Sequence, residues 1–129
     1  MTRDMDLIRN IMLDVEAAPV GQEINGNLEY DGKDQFEIAD HVLQLKEQGL
    51  IEGLIVRDGR NVPRGYVIWR LTPAGHDFLD SARNATFWNK AMTELKKQGI
   101  GLTIGITTAY LKQKVKEQLG LTEDSPTQN

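Results

Sequence analysis

Four arginines, Arg57, Arg60, Arg64 and Arg70, lie in residues 54–72 beside a single acid, Asp58, giving this stretch a net charge of +3. A guanidinium offers a planar fork of donors that fits a phosphate or a carboxylate, so the chemistry this cluster suggests is anion recognition. Double-stranded DNA is one fitting partner, with Arg57 and Arg70 on backbone phosphates and Arg60 and Arg64 reaching a minor groove. A solubilising loop that binds nothing is the plainer reading of the same residues. A second group of polar side chains, His41, Gln44 and Gln48, shares one face of a helical pattern and could read base edges. Glu37, Asp40 and Glu47 fall on that face too and would oppose the phosphates beside a major groove. Lys33 and Lys46 offset this only in part, so the same face also suits a host protein as partner.

Other chemistries find little support. The chain has no cysteine, which removes disulfides, thiolate metal sites and cysteine nucleophiles. His41 and His76 are its two histidines and carry no metal-ligand spacing. Structural, hydrogen-bonded roles are expected for both, with His76 bridging the helix after the arginine-rich segment to that segment or to the first helix. Neither a nucleophile–base arrangement nor a glycine-rich phosphate loop occurs, so the expectation is a non-enzymatic protein without cofactor or metal. The 129 residues carry −8 in residues 1–53 and +1 in residues 73–129, for a total of −4. A basic island thus sits in an acidic body. No apolar run is long enough to cross a bilayer and the N-terminus lacks a secretory pattern, so a soluble cytoplasmic protein with no membrane partner is expected.

The elements that must position these residues can be read from periodicity. Met5, Ile8, Met12 and Val15, widened by Leu7 and Ile11, predict an amphipathic helix that ends at Pro19 and Gly21. Residues 23–30 alternate loosely and predict a short edge strand. Asp34 predicts an N-cap, with Glu37 as its capping-box partner, for a helix over 35–48 that Gly49 terminates. Residues 50–57 and 66–71 predict two strands of a hairpin, joined by an eight-residue polar loop whose tip carries Arg60 and Arg64. Thr72-Pro73 predicts the start of another helix, and Asn84 or Thr86 bends or restarts it. A last helix is expected over 106–119, with Lys112, Lys114 and Lys116 as a solvated flank or a second phosphate contact.

This order, helix, short strand, helix, hairpin, helix, is that of a winged helix with its helix-turn-helix trimmed to one element. The class expected is α+β, mainly helical: a winged-helix-like domain over 1–83, a helical extension over 84–121 and a disordered tail over 122–129. Phe87, Trp88, Ala91 and Leu95 with Leu111 and Val115 could pair two copies into a homodimer. Alternatively, the two last helices complete the core of a monomer.

Three stretches also resemble a known group. They are Arg3-Asp4-Met5-Asp6-Leu7-Ile8-Arg9, His41-Val42-Leu43 with Gly49-Leu50-Ile51-Glu52-Gly53, and Leu71 to Arg83 followed by Trp88-Asn89-Lys90. Over about residues 2–121 the chain resembles domain-of-unknown-function family 2513 of bacteria, phages and mobile elements. The resemblance implies a phage or mobile-element setting and transfers no activity. The leading expectation is a winged-helix DNA-binding or regulatory protein; the competing one is an adaptor or inhibitor that binds a host or defence protein through its acidic surface.

Overall fold

The computed structural model describes residues 3–99 and 101–120. Its elements are α1 (Met5–Ala17), α2 (Gln35–Glu47), β1 (Ile51–Arg57), β2 (Pro63–Leu71), α3 (Pro73–Ala82), α4 (Ala85–Lys97) and α5 (Ile104–Gln118). The protein is α+β and mostly helical, with one antiparallel two-stranded hairpin. The chain divides into two compact units, Met1–Asp80 and Ser81–Asn129.

In the first unit, α1 and α2 pack on each other and both pack on the hairpin. Asp4 caps α1 by accepting the Leu7 N–H (3.1 Å), and Asp34 caps α2 by accepting the Glu37 N–H (2.8 Å). Gly49 stops α2 in the left-handed region at φ 72°, which a side chain would strain. The core is built from Ile8, Ile11 and Met12 of α1, Ile38 and Leu45 of α2, Ile68 and Leu71 of β2, and Phe78 and Leu79 of α3, all fully buried.

The hairpin departs from the sequence expectation in length and shape. β2 begins at Pro63, so the connecting turn is Asp58–Val62 and Arg64 lies on the strand, not in the loop. The reason is Asp58: its Oδ1 accepts the N–H groups of Arg60 (2.8 Å) and Val62 (3.1 Å) and folds the turn on itself. Register shifts at Glu52/Gly53 and Val56/Arg57 mark irregularities at both ends of β1. Residues 23–30 do not form a strand. A single bridge joins Ile24 to Ile68, with both N–H···O bonds at 2.9 Å, and the glycine at φ 66° in position 26 turns the chain away.

The hairpin root is closed. Thr72 Oγ1 donates to the Gly49 carbonyl (2.5 Å) and accepts the Gly75 N–H (3.1 Å), while the Thr72 N–H bonds the Leu50 carbonyl (3.0 Å). Gly75 has no room for a side chain, because a Cβ there would fall on the Leu50 carbonyl oxygen.

In the second unit, Asn84 caps α4 through the Phe87 N–H (2.9 Å) and Thr103 caps α5 through the Ile106 N–H (2.9 Å). Tyr110 of α5 donates its hydroxyl to the Glu94 carboxylate of α4 (2.8 and 2.9 Å), and Lys114 Nζ stands 3.7 Å from the same group. The expected disordered tail, 122–129, lies outside the described residues.

Candidate interaction surface

The α1–α2 junction uses up two of the three polar side chains that the sequence offers for base reading, and leaves Gln48 exposed. His41 is fully buried. Its Nδ1 lies 2.8 Å from the Glu37 carbonyl and its Nε2 2.9 Å from the Asp4 backbone nitrogen. A carbonyl can only accept and a backbone N–H can only donate, so the ring is neutral with its proton on Nδ1. The expectation that His41 reads a base edge is therefore corrected: a partner from 37 residues upstream draws it inward. Gln44 is engaged as well, accepting from Arg3 Nε (2.7 Å) and donating to Asp40 (3.0 Å).

Lys33 bridges Asp4 (2.7 Å) and Glu37 (3.5 Å). Burial pushes the Asp4 carboxyl up, but the Lys33 and Leu7 hydrogen bonds and the Lys33 charge outweigh it and hold the group below its usual value. His76, expected to bridge elements, is exposed, and its ring has no hydrogen-bond partner among the described residues.

The four hairpin arginines divide into two pairs. Arg60 Nη2 contacts Asp58 at 3.0 Å and Arg70 Nη2 contacts Glu52 at 2.7 Å, with Arg70 Nη1 also donating to the Leu71 carbonyl (3.1 Å). Arg57 donates to the Asn61 carbonyl (3.4 Å), and Arg64 has no partner among the described residues. Arg57 and Arg64 therefore carry no carboxylate.

Between these guanidiniums lies a feature that the sequence reading passed over. On the inner face of the hairpin, Ile51, Tyr66, Ile68 and Leu71 are buried. On the outer face Leu54, Val56 and Trp69 keep 42, 47 and 50% of their surface exposed, with Val67 half-buried beside Leu54. Trp69 makes one polar contact, from Nε1 to Glu23 (3.2 Å). An apolar strip on a sheet face, bordered by arginines, has the composition of a protein contact surface. The available signal was that β1 is apolar on both faces, at Leu54 and Val56 as well as at Ile51 and Ile55.

The expected pairing surface for a second copy is corrected in four of its six positions. Trp88, Ala91, Leu95 and Leu111 are buried within the chain; Phe87 and Val115 remain half-buried. Lys114 is engaged by Glu94 and Glu117, and Lys112 is exposed. Among the described residues no cluster of three His, Cys, Asp or Glu side chains could hold a metal ion, and no helix is long and apolar enough to cross a membrane.

All three stretches singled out in the sequence fall within a match to a known family. Residues 2–101 match the family described as hypothetical protein, DUF2513. The chain belongs to the DUF2513 family. The match takes in α1 to α4 and stops before α5, short of the 121 expected. An uncharacterised protein of Haemophilus influenzae is 35% identical over 108 residues, covering 81% of this chain and 86% of its own. No solved structure matches this DUF2513 chain.

Proposed function

We propose that this DUF2513 chain is a non-enzymatic binding module that docks on another protein through the outer face of its β1–β2 hairpin. The observation that carries the reading is the exposed strip of Leu54, Val56 and Trp69. Burying that strip releases water from apolar surface, and tryptophan is among the residues that dominate protein contacts. Arg57 and Arg64 would add charge-assisted bonds to carboxylates at the rim, favouring an acidic partner. The mobile-element setting implied by the family resemblance makes a host or defence protein a natural candidate.

DNA binding by a winged-helix arrangement is the second reading, favoured by the carboxylate-free state of Arg57 and Arg64. It fits less well, because α2 offers no free base-reading side chain at positions 41 and 44 and presents acids outward. The two readings separate in one pair of measurements. A wild-type bait and a Leu54→Asp, Trp69→Ala bait are used to retain partners from a bacterial lysate, and both are titrated with duplex DNA at low salt. A protein held by the wild type and lost by the variant supports docking. A duplex shift that survives in the variant, vanishes with salt and is removed by Arg57→Ala, Arg64→Ala would replace it with DNA binding.

A further inference from the structure

The backbone of the hairpin shows which of its hydrogen-bonding groups are in use. Ile68 exchanges both its N–H and its C=O with Ile24, so its main-chain groups point away from β1. In an antiparallel pair the main-chain groups of successive residues alternate between the two sides of the strand. Val67 and Gly65 therefore point toward β1 and bond their register partners Leu54 and Val56. By the same alternation, Gly53 and Ile55 turn their N–H and C=O groups outward, along the edge that β2 does not occupy. No backbone hydrogen bond reaches that edge from any other described residue. The register shifts at either end confine it to Gly53–Val56.

Resting on the protein-docking reading above, we infer that this open β1 edge takes an extended segment of an acidic partner as a third strand, through the main-chain groups of Gly53 and Ile55. An added strand gains its affinity from backbone pairing and its specificity from alternate side chains. Here those side chains that point outward would continue the Leu54–Val56 strip, so they are apolar. The end nearer the turn is selected by charge. Arg57, which has no carboxylate of its own, closes the edge toward the turn.

The probe is a short capped peptide in which valine and threonine alternate, flanked by glutamates at both ends. A lysine-flanked version and a version with a central proline serve as controls. Amide hydrogen exchange of the full chain is followed with each. The expected result is about tenfold slower exchange at Gly53 and Ile55 with the glutamate peptide. Binding should fall about tenfold with lysine flanks and disappear with the proline. The Ile55→Pro variant removes an outward N–H that β2 does not use and should abolish the protection. If that variant unfolds, Arg57→Glu, which leaves the backbone intact, should reverse the preference between glutamate and lysine flanks. Peptide binding that perturbs Leu54 and Trp69 but leaves exchange at Gly53 and Ile55 unchanged would overturn edge pairing while preserving docking on the face. Absence of binding at millimolar peptide would overturn the inference by itself. The docking reading fails separately, when no lysate protein depends on Leu54 and Trp69.

Discussion

The α1–α2 junction and the β1–β2 hairpin treat their polar and apolar groups in opposite ways. At the junction, His41, Asp4, Lys33 and Glu37 bond one another or the backbone, Gln44 bonds Arg3 and Asp40, and His41 is sealed from water. On the hairpin, aliphatic and aromatic surface faces outward, and two arginines lack carboxylates. The contrast shows that a side chain's chemical type says less about function than whether its bonding capacity is already spent. A histidine and a glutamine on a helix face look like readers until their partners arrive from elsewhere in the chain. Hydrophobic residues look like core until both faces of the strand are counted.

That contrast can be broken or sharpened by substitution. The largest effect is expected at the closed hairpin root, where Gly75→Ala drives a methyl group into the Leu50 carbonyl. A loss of about 3 kcal/mol or more should appear in denaturant unfolding. His41→Ala leaves the Asp4 N–H without its acceptor and opens a cavity, for a loss of about 2–3 kcal/mol in the same assay. Asp58→Ala removes the carboxylate that folds the turn and should lower stability by about 1 kcal/mol, whereas Arg60→Ala, losing only an exposed ion pair, should change it by less than about 0.5 kcal/mol.

Asp4→Asn keeps the cap but loses the ion pair with Lys33, a deficit of about 0.5 kcal/mol at neutral pH. The Asp4 carboxyl is held below its ordinary value of 3.8, so its contribution is complete above that pH and is lost as pH falls through the lower folded value. The difference between wild type and Asp4→Asn should therefore vanish in unfolding curves taken progressively below pH 3.8. The smallest effect on stability, under about 0.5 kcal/mol, is expected from Leu54→Ser with Trp69→Ala. A large loss there would mean that the strip supports the fold, and the distinction between the two regions would collapse.

Much of the scaffold was legible because it is encoded locally. Asp34, Gly49, Thr72-Pro73 and Asn84 each mark a helix end through a bond or a dihedral that involves neighbours in sequence. The α+β class followed from these ends and from the apolar stripes between them. What stayed hidden depends on distant partners. His41 sits on the polar half of the α2 wheel and is buried only because the backbone of Asp4 reaches it. Leu54 and Val56 alternate with Ile55 in an unbroken apolar run, and period-two patterning cannot say which face is covered. The expected edge strand over 23–30 shrank to one bridge because the glycine at position 26 turns the chain away two residues after Ile24. The candidate site itself, the outer strip, was legible only as its arginine border.

The fastening of the hairpin at Thr72 and Gly75 also has a mechanical consequence. A ribbon anchored at one end and free at the other bends like a cantilever, with displacement growing toward the unsupported end. Arg70 lies beside the anchor, and Arg64 and Arg60 stand progressively farther from it along the ribbon, where the same deflection would carry them farther. Leverage is thus graded along the ribbon, and both arginines without a carboxylate, Arg57 and Arg64, lie on its far half.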